Sequence, residues 1–227
     1  MDKLWIYGCS YSGDGHFPRT NKCWFDYIAD EFDLEVINRS RAGTNWSYSK
    51  NIFYSDITQW SENDLIIVES SHLQRMWSEF LQNRFKYFKY TPTTHCPIDP
   101  KDNRYLNALL YITKDLDEIR KENWTQFVTS LHFLEKYIKN WFWWTFEFYP
   151  VHNQIPKFID YKFGDKLLTF ENDTTTFDTW MRDNPHYCIN PPNDMHQTYD
   201  CHRIQGELFI KQIKEYEKRN QPKTNGL

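Results

Sequence analysis

The sequence predicts one α/β domain with a parallel sheet that is covered by helices on both faces. The first observation is a pair of short apolar runs, LWIYG at 4–8 and DLIIVES at 64–70, which are typical of strands buried on both faces. The second is that helix and strand patterns alternate between these runs. A strand–helix–strand order implies parallel pairing, with helices covering the faces of the sheet.

The individual elements follow from residue spacing. Apolar residues recur every three or four positions over 23–32, which predicts a helix, and LEVINR at 34–39 predicts the next strand. A turn-rich stretch from Ser40 then leads into a second helix. The later predictions are helices over 105–121 and 124–140, an aromatic strand over 141–150, a small hairpin within 164–180, and a last helix over 201–219.

Composition limits the classes of function. The formal net charge of −4 and the pI of about 6.1 argue against a general nucleic-acid surface, and no run of about twenty apolar residues predicts a membrane span. Five cysteines without a C-x-x-C pair argue against a zinc ribbon or a disulfide framework. The start of the chain does not resemble a signal peptide, so we expect a cytoplasmic protein. One domain over 1–219 is expected, with a polar tail at 220–227.

Aromatic residues make up 19% of the chain, and the densest group is WFWW at 141–144. Tyr and Trp fill cores, interfaces and sugar-binding grooves alike. The segment is predicted to be a buried strand. The alternative is an exposed aromatic surface that stacks on a sugar or joins two copies of the chain, with Trp46 and Trp77 as further stacking residues.

Four loops are expected to meet at the carboxyl edge of the sheet, where ligands bind in this architecture. The first carries Ser10, which needs a base to become a nucleophile. The loop before the last helix offers two Asp-x-His pairs, Asp194 with His196 and Asp200 with His202. Either pair could supply the base and its orienting carboxylate. For the developing oxyanion we expect the Ser10 and Gly43 N–H groups, with the Asn45 side chain nearby.

These segments resemble the blocks of the SGNH (GDSL-type) hydrolases. YGCSYSGDG is similar to the first block, with Ser10 at the nucleophile and Cys9 where the family usually has Asp. NRSRAGTNW is similar to the second block, and its oxyanion glycine corresponds to Gly43. DLIIVESSHLQR resembles a variant third block that ends in Ser71 and Arg75, the expected substrate-binding residues. The common Gly-x-Asn-Asp of that block is absent.

The fifth block of the family favours one of the two pairs. Aligning Asp194 and His196 with its Asp-x-His puts His202 on the second histidine and Gly206 on the small residue inside the helix. The other register fits less well, because Asp200 is better explained as a helix N-cap. We therefore predict Asp194 and His196, with Asp200 and His202 as the alternative.

The resemblance implies a flavodoxin-like domain, which is a doubly wound three-layer α/β/α sandwich around a mainly parallel sheet of about five strands. It also implies a serine esterase that needs no metal or cofactor. The expected substrates are short acyl esters of a small molecule or a glycan, such as O-acetyl groups. Two alternatives stay open: an SGNH-like binding or assembly module without activity, and an acyltransferase that uses the same triad. The variant first and third blocks are similar to those of phage and environmental-bacterial members, which suggests a phage-encoded protein in a host cytoplasm.

Overall fold

The computed structural model describes residues 1–12, 21–41, 44, 46–70, 116–146, 163–170, 176–191 and 194–221. The strands of this part are β1 (Lys3–Tyr7), β2 (Glu35–Asn38), β3 (Leu65–Ser70), β4 (Trp141–Thr145), β5 (Cys188–Asn190) and β6 (Asp194–Gln197). The α-helices are α1 (Trp24–Phe32), α2 (Trp46–Asp56), α3 (Leu116–Tyr137), α4 (Phe177–Asp183) and α5 (Tyr199–Asn220). No helix in these ranges is both long enough and apolar enough to cross a bilayer.

The main sheet has four parallel strands in the order β2-β1-β3-β4. An isolated parallel bridge joins Trp143 to Leu167, and the Leu168 N–H donates to the Trp143 carbonyl at 2.7 Å. Within the described ranges, a single bridge beside β4 therefore stands where a fifth strand is expected. The resulting order is that of flavodoxin-like folds, and the predicted doubly wound α/β class is confirmed.

Alternate residues of the strands enter two separate cores. In β4, Trp141 and Trp143 pack in the core that includes residues of α2 and α3, whereas Phe142 and Trp144 pack in the core that includes α1 and α5. This is the period-two geometry of a strand covered on both faces. All four side chains are at most 3% exposed. The prediction of a buried strand is therefore confirmed, and the alternative of a stacking surface at these residues is wrong.

Three sequence predictions about local structure are wrong. The sequence predicts two helices that are separated at 122–123, whereas these residues lie inside one continuous helix, α3. Neither Gly nor Pro stands there to end a helix, and Asn123 is buried in the packed face. The predicted hairpin within 164–180 is instead a short 3₁₀ turn at Gly164–Lys166 and the start of α4. The N-cap of α5 is Thr198, whose hydroxyl accepts from the Cys201 N–H at 3.3 Å; Asp200 lies exposed in the first turn.

Helices α1 and α5 pack closely at Gly206. A Cβ atom at this position would lie 2.8 Å from the Trp24 carbonyl oxygen and 2.8 Å from the Tyr27 Cβ. Atoms do not approach so closely without displacement, and the Trp24 carbonyl belongs to the helix backbone. Gly206 therefore sets the distance between the two helices.

We expect Gly206→Ala to lower the free energy of unfolding by about 1–3 kcal/mol, because the cost of overpacking exceeds the gain in helix propensity. Urea denaturation measures the change. Lys211→Ala, at an exposed position of the same helix, is the control and should change stability by less than about 0.5 kcal/mol. A Gly206→Ala protein as stable as wild type would contradict the close packing.

Candidate active site

Ser10 lies in a tight turn that follows β1. The Ser12 N–H donates to the Cys9 carbonyl at 3.2 Å, which closes the turn, and Ser10 is 6% exposed. The Ser10 N–H donates no hydrogen bond within the described part of the chain. The turn therefore presents a hydroxyl and a neighbouring backbone donor at the carboxyl edge of a parallel sheet.

The turn is anchored to the adjacent strand by the Glu69 carboxylate. Glu69 is 1% exposed near the end of β3, and its two oxygens accept from the Cys9 N–H at 3.0 Å and from the Cys9 thiol at 2.8 Å. A Cβ at Gly8 would lie 2.2 Å from Glu69 Oε2, so only glycine admits this approach. Cys9 is buried, and its N–H and thiol donate these hydrogen bonds, a role that the pattern of apolar residues does not indicate.

His196 is brought to Ser10 by a small hairpin outside the main sheet. Strands β5 and β6 pair antiparallel, and the Thr198 N–H donates to the Tyr187 carbonyl at 2.8 Å where β6 meets α5. The imidazole is half-buried, and its Nε2 atom lies 3.0 Å from Ser10 Oγ. A serine hydroxyl and a histidine at this separation form the hydrogen bond that proton transfer requires.

His202, the alternative base, occupies a different environment. It lies near the start of α5 and is 2% exposed. Burial and, as a smaller cause, the nearby His196 together lower the pKa of His202 to about 4. His202 is therefore a neutral imidazole at pH 7.

The loop after β2 is held against the Ser10 turn. The Gly8 carbonyl accepts from the Arg41 N–H at 3.2 Å, and the Thr44 and Ser49 hydroxyls lie 3.5 and 3.4 Å from it. These contacts place Arg41 and Thr44, the described residues of this loop, at the carboxyl edge, where the sequence predicts the loop to lie. Gly43 and Asn45, the expected oxyanion residues, lie outside the described residues.

Other predicted site residues are only partly described. Ser71, Arg75 and Trp77 lie outside the described ranges, and for Asp194 the backbone in β6 is described but not the side chain. Trp46 is buried and donates from Nε1 to the Ser130 hydroxyl at 3.1 Å, so it offers no stacking surface. Within the described residues, no group of three His, Cys, Asp or Glu side chains could hold a metal ion.

Comparison with known proteins identifies the fold. Neither a family model nor a curated relative matches the chain. A solved protein from Parabacteroides merdae, provisionally described as a GDSL-like lipase, aligns over 94% of this chain and 97% of its own, with a TM-score of 0.52 and 12% identity. A provisionally described lipolytic protein of the G-D-S-L family from Desulfitobacterium hafniense aligns over 93% and 99%, with a TM-score of 0.41 and 11% identity. At such identity, the first alignment shows a shared α/β/α fold.

The depressed pKa of His202 makes stability depend on pH. Between pH 6.5 and about 4 the unfolded chain binds a proton at this residue that the folded chain does not, so the free energy of unfolding falls as the pH is lowered through this window. The full effect is about 3 kcal/mol. We expect His202→Gln to flatten the pH dependence measured by urea denaturation, and His186→Gln, at an exposed histidine, to leave it unchanged. Equal slopes for wild type and His202→Gln would contradict this role.

Removing the Glu69 anchor should destabilise the protein. We expect Glu69→Ala to lower the free energy of unfolding by about 2–3 kcal/mol, because it leaves the buried Cys9 N–H and thiol without these acceptors. Glu35→Ala, at an exposed carboxylate that begins β2, is the control for loss of one acidic side chain. Chemical denaturation compares the two, and equal stabilities would exclude Glu69 as the anchor of the turn.

Proposed function

We propose that the protein is a serine esterase of the SGNH type, with Ser10 as nucleophile and His196 as general base. The observation that carries this proposal is the 3.0 Å distance between Ser10 Oγ and His196 Nε2, at the edge of the sheet where ligands bind. The fold that the chain shares with the Parabacteroides merdae protein supports the same class. The name of that protein points to lipolytic hydrolysis, which we extend to this chain as part of the proposal.

The reaction follows from the two side chains. Ser10 donates its proton to neutral His196 Nε2 as Oγ attacks the acyl carbonyl, and the carbonyl π electrons move to the oxygen. The Ser10 N–H, which is not engaged by the described residues, and the Gly43 N–H donate to this oxyanion. The oxyanion then reforms the carbonyl as the bond from the acyl carbon to the alkoxy oxygen breaks, and the imidazolium protonates the leaving alcohol. Water gives a proton to His196 as it attacks the acyl-enzyme carbonyl; the bond from the acyl carbon to Ser10 Oγ then breaks, and the imidazolium returns the proton to Oγ, which releases the carboxylic acid.

Asp194 is the proposed carboxylate partner of His196. The two residues are separated by one position in β6, and residues two apart in a strand share a face. Its role is to accept from His196 Nδ1, which keeps Nε2 unprotonated toward Ser10. The other pair fits this role less well, because His202 is buried and Asp200 is exposed on α5.

The proposed substrates are short acyl esters. Burial of Trp46 and of 141–144 removes most of the stacking residues on which the carbohydrate version of this proposal rested. We keep Ser71 and Arg75 as candidate substrate contacts. Burial of 141–144 also weakens one of the two reasons for the binding-module alternative, whereas the other reason, the absence of the Gly-x-Asn-Asp of the third block, stands.

A fluorophosphonate probe tests the proposal directly. We expect the wild-type protein to form a covalent adduct that peptide mass mapping places on Ser10, and hydrolysis of p-nitrophenyl acetate to accompany it. Ser10→Ala should abolish both, and His196→Ala should reduce labelling at least about 10²-fold, because an alcohol without its base is a weak nucleophile. His202→Gln is the matched histidine control and should retain the adduct.

The remaining outcomes discriminate the alternatives. If the adduct is lost in His202→Gln but persists in His196→Ala, the general base is His202, and the alternative pair of Asp200 and His202 is correct. Absence of label and of hydrolysis in folded wild type would favour the inactive binding module. Appearance of an acylated sugar or alcohol when an acceptor is added would identify acyl transfer.

A further inference from the structure

The Tyr11 ring lies face to face with the imidazole of His196. Their centroids are 4.9 Å apart and their planes differ by 20°. We propose that Tyr11 is a positioning residue for the catalytic base: it fixes the plane of the imidazole and stabilises the imidazolium that forms during acyl transfer. This inference rests on the proposed function, because it assigns the base to His196.

Tyr11 is itself held on several sides. Its side chain is 3% exposed, its ring packs against Phe146 at 4.8 Å and Phe177 at 5.2 Å, and its backbone carbonyl accepts from Trp24 Nε1 at 3.1 Å. The ring is therefore a rigid surface that belongs to the core, one residue after the nucleophile. His196, by contrast, is half-buried on a two-stranded hairpin.

Stacking supplies a constraint that the hydrogen bond to Ser10 does not. The bond between Ser10 Oγ and His196 Nε2 fixes the position of one ring atom. The imidazole could still tilt about that atom, because torsions between a tetrahedral and a planar carbon have broad minima. Contact with a fixed parallel ring removes this freedom. Tyr11 thus keeps Nε2 in the direction from which it receives the serine proton.

The same contact favours the charged form of the base. The face of an aromatic ring carries negative charge density and attracts a cation lying over it. Neutral His202 is close enough for its own pKa to be lowered by His196, so two positive charges here would repel each other. Asp194, two residues before His196, carries the opposite charge. The face of the Tyr11 ring adds to this attraction.

An isosteric pair of variants separates the two effects. Tyr11→Phe keeps the ring and its quadrupole, whereas a trifluorinated phenylalanine at position 11 keeps the shape but removes most of the negative face. We expect the first to retain kcat within about twofold and the second to lower kcat about two- to fivefold with KM unchanged. The midpoint of the His196 titration, followed by NMR and assigned with His196→Asn, should fall by about half a unit only in the fluorinated protein.

Tyr11→Leu tests the constraint on the ring plane. We expect kcat to fall about tenfold or more, because the imidazole loses its stacking surface. Phe177→Leu is the matched packing control, since Phe177 contacts Tyr11 from another side; it should alter stability but leave the His196 titration unchanged. If Tyr11→Leu does not fold, Tyr11→Met, which also removes the ring but fills more of its volume, replaces it with the same expected loss of kcat.

Several results would overturn the inference. A fluorinated protein with the kcat and His196 titration of wild type would exclude stabilisation of the imidazolium by the ring. Tyr11→Leu with wild-type kcat would exclude the positioning role. The NMR titration does not depend on turnover, so failure of this inference is distinguishable from failure of the proposed function, in which Ser10 would not be labelled at all.

Discussion

The buried carboxylate of Glu69 is the constraint on which the site depends. Strands β1 and β3 are neighbours, so a side chain near the end of β3 can reach the turn that follows β1. Glu69 uses this proximity to bind the N–H and the thiol of Cys9, and the approach is so close that position 8 must be glycine. The pairing of the two central strands, β1 and β3, therefore fixes the position of Ser10.

The main sheet separates two cores that are rich in aromatic side chains. Trp and Phe residues alternate along β4 and enter different cores, so the same short segment stabilises both helical layers. Such a strand has no solvent face, and all three of its Trp side chains are buried. Fold stability and the placement of the carboxyl edge thus come from one set of contacts.

The sequence predicted the sheet and the pairing of Ser10 with His196, but not the residues that hold these two side chains in place. Short apolar runs and their alternation with helices were sufficient for β1 to β4, because burial on both faces leaves a strong signal. The resemblance of the fifth block favoured His196 over His202, and the structure has His196 at hydrogen-bonding distance from Ser10. The roles of Glu69 and Tyr11 depend on contacts with Cys9 and His196, which are far from them in the sequence. The spacing of apolar residues does not predict such contacts. The predicted hairpin failed because Thr176 caps a helix there, a local hydrogen bond that outweighs the strand-like composition.

The location of His196 on the β5–β6 hairpin has a consequence for how the proposed activity would be lost on heating. Ser10 is attached to the centre of the main sheet, whereas its partner is carried by a separate two-stranded unit that meets the core through α5. Small units of this kind open locally at a lower free energy than the whole domain. Heating should therefore separate the two side chains before the sheet unfolds, so that inactivation and loss of secondary structure are two events with different midpoints.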